Sequence, residues 1–560
     1  MQHAKLSTIL LSTAFFLCVK SNVDLFSSMH EMEQLHQHEL HVSNHIENHL
    51  QDIDSQLKAI EQFLAKNFEI HNYTEEDAES YVSHPLNTFS IIKRTSMEWP
   101  KLKEKLFGNK TQEKVSEFLG NMTIYNIGEK DLEGAMQGLL LLTYTYRLNI
   151  SELARGKIRI PNAQAIEQNI PVGSFVEDSP LNAKDLELMG KLAYNLKHIS
   201  TAIEALQEAE IQAKLEKNTE MAKEIHNVLS TIKRKHDEIV AKPHKDEAMR
   251  LFTKPFDKKL SKKKKYSKLK SMTRPAVNGT LFKRDNLSDR QLDEMFEATC
   301  RGDSLRSPEY DSHLKCRLIH YHDPYLLLGP FKFEELNLQP FVAIFRDFIS
   351  DNEVENYIEE TEGKMKRSQH SAKSGDGSDK QVSTNKRTSK QIWLTEFPDG
   401  LYQSSSESAF KVSVRIRQAT MTNCFSAFGS EHYQVANYGI GGQYSRHYDA
   451  VGEGYLEPGF ENEGTRVQTF MAYLSNVEAG GATAFPLLGL AVWPKKGDAI
   501  TWYNIDRNGR QDKLTMHGGC PVIKGNYYCR LLCRAIFTVL IFSGTDSTKI
   551  NRPGHNIRMY

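Results

Sequence analysis

Beyond its opening twenty residues, this chain of 560 residues has no apolar run approaching the roughly 20 residues that a membrane-spanning helix needs, so no membrane partner is expected. It also lacks any excess of charge. With 71 Lys and Arg against 71 Asp and Glu, no global field favours nucleic acid or an anionic surface. Cysteine is scarce at seven residues, and one of them, Cys18, sits in the leading apolar segment. The six that remain are an even number, as suits an oxidising compartment.

The start of the chain runs through Lys5, an apolar stretch from Leu6 to Val19 broken by small polar residues, and then Lys20-Ser21. This predicts a cleaved secretory signal over residues 1–21. Asn72, Asn109, Asn121, Asn149, Asn278 and Asn286 each precede a Ser or Thr by two residues, and all six glycosylation sequons lie before residue 290.

Such a length implies roughly two to four domains. Residues 22–160 read as helical, with Ile46, Leu50, Ile53, Leu57, Ile60 and Leu64 recurring at alternating spacings of four and three. That pattern fits a coiled-coil seam and equally fits one amphipathic helix packing inside its own domain. A second helical region, 180–242, carries small residues at Gly190, Ala193 and Ala202, which let two helices approach closely as in a tetratricopeptide pair. Residues 243–290 hold the run Lys262-Lys263-Lys264-Lys265 and read as a solvated basic linker. In the segment 291–335, Cys300 and Cys316 flank a short polar stretch and are the disulfide candidates.

From 336 to 528 short apolar runs alternate with Gly, Pro and Asn breaks, the pattern of a double-stranded β-helix or jelly roll. Residues 367–390, rich in Ser, Lys and Gly, read as a mobile loop. The fold class is therefore α+β and multidomain, all-α at its N-terminal end and all-β in the domain that follows.

Chemistry concentrates in that β region. His447-Tyr448-Asp449 lies on a strand-like stretch, and His517 follows 68 residues after the aspartate. Side chains on a strand alternate faces, so His447 and Asp449 project into one cavity while Tyr448 turns away. Two imidazoles and one carboxylate are the ligand set of a non-haem Fe(II) oxygenase, with positions left open for cosubstrate and O₂. A second His-x-Asp triplet, His244-Lys245-Asp246, sits in the charged linker without a strand pattern and is discounted.

Three blocks surround the candidate: Gln434 to Asp449, which contains Tyr438-Gly439-Ile440-Gly441-Gly442-Gln443-Tyr444; Ala479-Gly480-Gly481-Ala482-Thr483-Ala484-Phe485-Pro486; and Val492 to Asn504. In this order, with His517 after them and Arg387-Thr388-Ser389-Lys390 before, they resemble the catalytic α subunit of animal collagen-type prolyl 4-hydroxylases. That resemblance implies Fe(II), 2-oxoglutarate and L-ascorbate, and hydroxylation of peptidyl proline at C4 with release of succinate and CO₂. It implies that Tyr438, Thr483 and Trp502 line the 2-oxoglutarate pocket, and that Cys300 pairs with Cys316. It further implies a proline-rich, collagen-like peptide as substrate and Tyr194 as a peptide contact in residues 180–242, where a purely structural helical hairpin is the competing reading. Pairing of two α subunits, a protein disulfide isomerase as β subunit, and residence in the endoplasmic reticulum lumen follow from the same resemblance. No retrieval tetrapeptide is read in the closing Asn556-Ile557-Arg558-Met559-Tyr560, and the same resemblance implies that retention comes from the β subunit.

The likeness breaks ten residues after His517, where the family carries a lysine for the distal carboxylate of 2-oxoglutarate and this chain has Tyr527. A buried carboxylate without a cation costs several kcal/mol. Arg530 and Arg534 are the substitutes considered, while Lys524 sits in a turn. Residues 529–560 depart from the family altogether and read as an atypical tail, with a strand conceivable from Ile536 to Phe542. The partner of Cys520 is left open. Two functions follow: an active hydroxylase subunit, or a metal-binding, peptide-binding or dimerising subunit impaired in turnover by Tyr527.

Overall fold

The computed structural model describes residues 29–50, 61, 63–65, 67–68, 81–106, 128–168, 174–176, 179–240, 256, 287–303, 306–368, 370–373, 379–382, 387–394, 407–422, 430–439, 441–450, 465–525 and 529–538. Two compact units divide it, Met1–Met136 and Gln137–Tyr560.

In the first unit, helix α1 (Met29–Leu50) buries Met32, Leu35, Glu39 and Val42, which recur at spacings of three and four. Helix α2 (Pro85–Lys93) opens with Pro85 in its first turn and with the His84 ring accepting the Leu86 N–H. It passes through a π-helical turn, Arg94–Glu98, into α3 (Trp99–Leu106). Arg94 donates to both oxygens of the buried Glu39 at 2.8 and 3.2 Å, and the Trp99 indole donates to one of them at 3.1 Å. The carboxylate thus enters the interior fully paired. Of the seam, Ile53, Leu57 and Ile60 lie outside the described residues, and for Ile46 and Leu50 only the helical backbone is described.

Helix α4 (Glu129–Tyr146) leads to α5 (Ile150–Ala154), capped by Asn149, whose side chain accepts the Glu152 N–H at 3.1 Å. This is the one sequon asparagine among the described residues. After α6 (Asn162–Glu167) come α7 (Ala183–Asn195), α8 (Ile199–Leu215) and α9 (Thr219–Val240), each packed on the next. A Cβ on Gly190 would lie 2.6 Å from Leu206 Cγ, so α7 and α8 approach as the small residues predict. The sequence offers one helix pair; the structure adds a third helix, because Ala222, Ile225, Leu229 and Ile232 give α9 its own buried stripe.

Helix α10 (Asp289–Cys300), started by a Ser288/Gln291 capping box, precedes the sheets. Their strands are β1 (Cys316–Ile319), β2 (Phe331–Leu338), β3 (Phe341–Arg346), β4 (Lys366–Arg367), β5 (Lys390–Leu394), β6 (Tyr433–Tyr438) and β7 (Tyr444–His447). There follow β8 (Thr465–Tyr473), β9 (Thr483–Phe485), β10 (Leu490–Val492), β11 (Ala499–Tyr503), β12 (His517–Gly519) and β13 (Cys529–Thr538). A nine-stranded sheet runs β1-β2-β3-β11-β8-β13-β6-β5-β4, and a four-stranded sheet runs β7-β12-β9-β10. All these pairings are antiparallel.

Alternation divides the large sheet between two cores. Val342, Ile344, Met471, Tyr473, Ile500 and Trp502 pack towards Phe485 and Val492 of the small sheet and Leu488 in the turn between their strands. Ala343, Phe345, Phe470 and Ala472 face the other way, onto Val354 and Tyr357 of helix Asp351–Thr361 and Val412 and Ile416 of helix Glu407–Thr420.

Three expectations are corrected. Cys300 is bonded to Cys520, not to Cys316, which is free and exposed on the edge strand β1. The reason is packing: α10 lies against β12, where a Cβ on Gly518 would come within 2.8 Å of the Phe296 ring, so its last residue reaches the strand's end. Secondly, residues 529–538 are not tail but β13, in the middle of the large sheet between β8 and β6. Thirdly, the stretch 367–390 includes an antiparallel pair, His370–Lys373 with Asp379–Val382.

Candidate metal centre

Strand β7 delivers His447, the following bend delivers Asp449, and β12 delivers His517. β7 and β12 are hydrogen-bonded neighbours in which His447 stands opposite His517. One ligand atom from each of the three residues lies within 4.8 Å of the others. His447 Nε2 is 3.4 Å and His517 Nε2 3.6 Å from Asp449 Oδ1. The expected triad is therefore brought together; the discounted His244 and Asp246 lie outside the described residues.

Backbone carbonyls select the ring tautomers. His447 Nδ1 sits 2.9 Å from Ser445 O and His517 Nδ1 2.9 Å from Thr515 O, so each Nδ1–H donates and each Nε2 keeps its lone pair for the centre. Burial, opposed by Asp449 and aided by His447, brings the His517 imidazolium down to about 4, so the ring is neutral at physiological pH. Burial pushes the Asp449 carboxyl up, but His517, His447 and Arg466 outweigh it and hold it well below the usual carboxylate range. Two neutral nitrogens and one anionic oxygen suit a divalent cation of the ferrous kind.

Behind the ligands stands a relay that sequence reasoning missed. The Thr469 hydroxyl donates to Asp449 Oδ2 at 2.6 Å, Asn504 Nδ2 donates to Thr469 Oγ1 at 2.9 Å, and the Trp502 indole donates to Asn504 Oδ1 at 2.8 Å. Strands β8 and β11 lie side by side, with Thr469 opposite Trp502, and this crossing assembles the chain. Its one signal in the sequence is the Trp502-Tyr503-Asn504 alternation, which puts the first and third residues on one face. Tyr444 stacks on His447 with ring centroids 3.7 Å apart, and the Arg387 guanidinium covers Tyr444 at 4.6 Å. Arg466 donates to the Asp449 carbonyl at 3.3 Å while paired with Glu431.

Of the residues assigned to cosubstrate, Trp502 meets the His517 ring at 4.7 Å and Thr483 is buried, its hydroxyl accepting from Tyr473 at 2.8 Å. Tyr438 is buried on β6 beside Ala436, Val477 and Val522. Tyr527 lies outside the described residues. Arg530 and Arg534 occupy register positions opposite Asn437 and Phe470, whereas Leu531 is the position opposite the inward Tyr473. Lys524 is ion-paired to Glu478 at 3.2 Å. Tyr194, far along the chain from this centre, accepts a hydrogen bond from Lys235 at 3.0 Å.

One glycine admits side chains from ahead of the sheets to the strands near His517. Gly480, at φ +79°, would with a Cβ meet Pro521 O at 2.5 Å and the Tyr146 hydroxyl at 2.8 Å. In that space Tyr146 donates to Pro521 O at 2.5 Å, and Gln164 bridges Gly480 N–H at 2.7 Å and Val477 O at 3.2 Å.

Comparison with known proteins places residues 28–160 in the family described as the prolyl 4-hydroxylase α-subunit N-terminal region. Residues 433–539 match the 2-oxoglutarate–Fe(II) oxygenase superfamily. The chain is 30% identical to prolyl 4-hydroxylase subunit alpha-2 of Gallus gallus over 541 residues, 92% of this chain and 93% of that protein. It is 29% identical to subunit alpha-1 of Rattus norvegicus, covering 90% and 91%, and 29% identical to subunit alpha-2 of Caenorhabditis elegans, covering 90% of each. A solved viral collagen prolyl hydroxylase from Paramecium Bursaria Chlorella virus-1 is 26% identical over 35% of this chain and 96% of its own, with a TM-score of 0.26.

Proposed function

The chain belongs to the family of prolyl 4-hydroxylase α subunits, and from that premise we propose that it hydroxylates C4 of peptidyl proline, consuming 2-oxoglutarate and O₂ and releasing succinate and CO₂. The observation that carries the reading is the convergence of His447, Asp449 and His517 on one point with both Nε2 lone pairs available. Ferrous iron with 2-oxoglutarate would supply the oxidising power, and those three side chains would hold the metal.

The protein's own part is orientation and exclusion of water. The Ser445 and Thr515 carbonyls fix both imidazoles, and Thr469 fixes the carboxylate through its non-ligating oxygen. Phe485 and Trp502 pack against the His517 ring at 5.5 and 4.7 Å and seal that side from solvent. Thr483, Trp502 and Tyr438 are the residues assigned to 2-oxoglutarate; burial of all three supports the assignment.

Finer features belong to the same proposal. The two facing antiparallel sheets are read as a double-stranded β-helix, α7 to α9 as a tetratricopeptide-like module for a proline-rich, collagen-like peptide touched by Tyr194, and α1 as part of a coiled-coil dimerisation region. Ascorbate is assigned to restoring ferrous iron after turnovers without peptide. A protein disulfide isomerase β subunit and the endoplasmic reticulum lumen are the proposed partner and place. The alternative of a subunit impaired in turnover rests on Tyr527 alone, and likeness to prolyl 4-hydroxylase α subunits over nine-tenths of the chain disfavours it. The deciding experiment measures succinate formed from 2-oxoglutarate with Fe(II), ascorbate and a proline-rich peptide. Turnover stimulated by peptide and abolished by His447→Ala is expected; metal binding with no succinate would leave only the impaired subunit.

A further inference from the structure

A cleft of about 700 Å³ opens in the second unit, and its lining includes none of the three metal ligands nor any residue assigned to cosubstrate. Its walls come from the end of α4 and the turn into α5, the short strand Lys157–Arg159, the start of α6, and the turn that follows α10. Arg301 ties two of these walls together. Its Nη1 donates to Thr145 O at 2.7 Å, while Nε and Nη2 donate to Asp303 at 3.2 and 3.0 Å. The side chain is only 10% exposed.

Four cations line the cleft, Arg147, Lys157, Arg159 and Arg301, against two carboxylates, Glu152 and Asp303. Both carboxylates are engaged, Glu152 by Arg159 and Asp303 by Arg301. Arg147 and Lys157 remain as excess charge, with no ion pair to a described residue. Like charges also meet: burial, and then the charge of Arg147, hold the Arg301 guanidinium below its ordinary value against the pull of Asp303 and Glu297. A guanidinium keeps its proton, so that repulsion persists until an anion enters. Arg147 is held here at a backbone cost. The Leu148 N–H bonds to Thr143 O at 3.0 Å and closes α4 in a Schellman turn, with Arg147 at φ +53°, where glycine is the usual residue. Strand alternation puts Lys157 and Arg159 on one face and buries Ile158 on the other. Ile160, Pro161 and Ile166 give the same cleft an apolar wall, with Ile166 76% exposed.

We propose that this cleft binds a small phosphate ester, its phosphoryl group held by Arg147 and Lys157 and its organic part resting on Ile160, Pro161 and Ile166. A phosphoryl group carries a charge of about −1.5 to −2 at neutral pH and so answers both excess cations at once, which a single carboxylate does not. The arginine fork presents paired donors that match phosphate oxygens. The volume is that of a small-molecule site, not of a flat face for a folded partner. The oxygenase reaction uses none of these residues.

The test uses the full-length chain with Fe(II) and 2-oxoglutarate present under nitrogen, so that the oxygenase site is already filled, and phenyl phosphate as the probe. Isothermal titration calorimetry compares the wild type, Arg147→Gly/Lys157→Gln, and a charge control, Lys184→Gln/Lys223→Gln, whose two lysines are exposed on α7 and α9. Wild type and control should each bind one equivalent, and the cleft variant should bind at least about tenfold more weakly, because its charge-assisted contacts are gone. Inorganic phosphate should bind the wild type more weakly than phenyl phosphate does, and Ile166→Ser should weaken phenyl phosphate alone. Glycine adopts φ +53° more readily than arginine, so the cleft variant keeps its turn; should its melting temperature nonetheless fall, Arg147→Gly alone is compared with wild type. No saturable binding to the wild type, equal affinity in wild type and cleft variant, or an equal loss in the charge control overturns the proposal.

Discussion

Replacing Thr469 by valine keeps the shape of the side chain and deletes one hydroxyl, the one that donates to Asp449 Oδ2 at 2.6 Å and accepts from Asn504 at 2.9 Å. Hydrogen bonds to charged groups contribute about 1.5–3 kcal/mol, and the Asn504 amide is left facing a methyl group. The metal-free protein should therefore lose about 2 kcal/mol of stability. Because the carboxylate would swing without its second tether, metal affinity should fall about 10- to 100-fold, as for other outer partners of metal ligands. The measurement is Fe(II) or Co(II) affinity by chelator competition without oxygen, alongside thermal denaturation of the apo protein. Thr469→Ser, which restores the hydroxyl, should recover most of the affinity. Wild-type affinity in the valine variant, or equal losses in valine and serine variants, would refute a role for the Trp502–Asn504–Thr469 relay.

Cys300→Ser opens a bridge spanning 220 residues, and loop entropy alone makes that worth about 5 kcal/mol; Cys316→Ser should leave the melting temperature unchanged. Peptide mapping that found Cys300 joined to Cys316 would contradict the packing argument. Arg94→Leu strands the Glu39 carboxylate in the first unit and should cost about 3–5 kcal/mol by denaturant titration, whereas the paired replacement Arg94→Leu/Glu39→Leu should recover much of it. Tyr527→Lys should tighten 2-oxoglutarate binding, read as a lower KM for the cosubstrate; an unchanged or higher KM would mean that its distal carboxylate is held elsewhere.

The metal centre was legible because strand alternation is a local rule: His447 and Asp449 needed only their spacing, and His517 only a following β segment. Thr469 and Asn504 were not, since the two residues, 35 positions apart, meet only when their strands come into register. Sequence nearness misled the cysteine pairing; Cys316 is sixteen residues from Cys300 but lies on an exposed edge, while Cys520 reaches it through the packing of α10 on β12. Strand β13 was missed because residues 529–560 were read by their departure from the family, which says nothing of the two neighbouring strands that pair with them. The helices of residues 183–240 were readable in kind but not in number, because the third shows its pattern only as one face of a largely charged segment.

The bonds from Tyr146, Gln164 and Cys300 all end within Val477–Pro521, the span that includes His517. A fragment cut to the matched region 433–539 would therefore expose three severed attachments beside its metal ligand: a carbonyl at Pro521, an amide at Gly480 and a thiol at Cys520. A fragment that keeps all three attachments has to begin ahead of Tyr146, and expression trials that start at the sheets should yield protein that loads metal poorly however well those sheets form. Tyr146, Gln164 and Cys300, none of them on a strand of the two large sheets, thus brace the segment that carries His517.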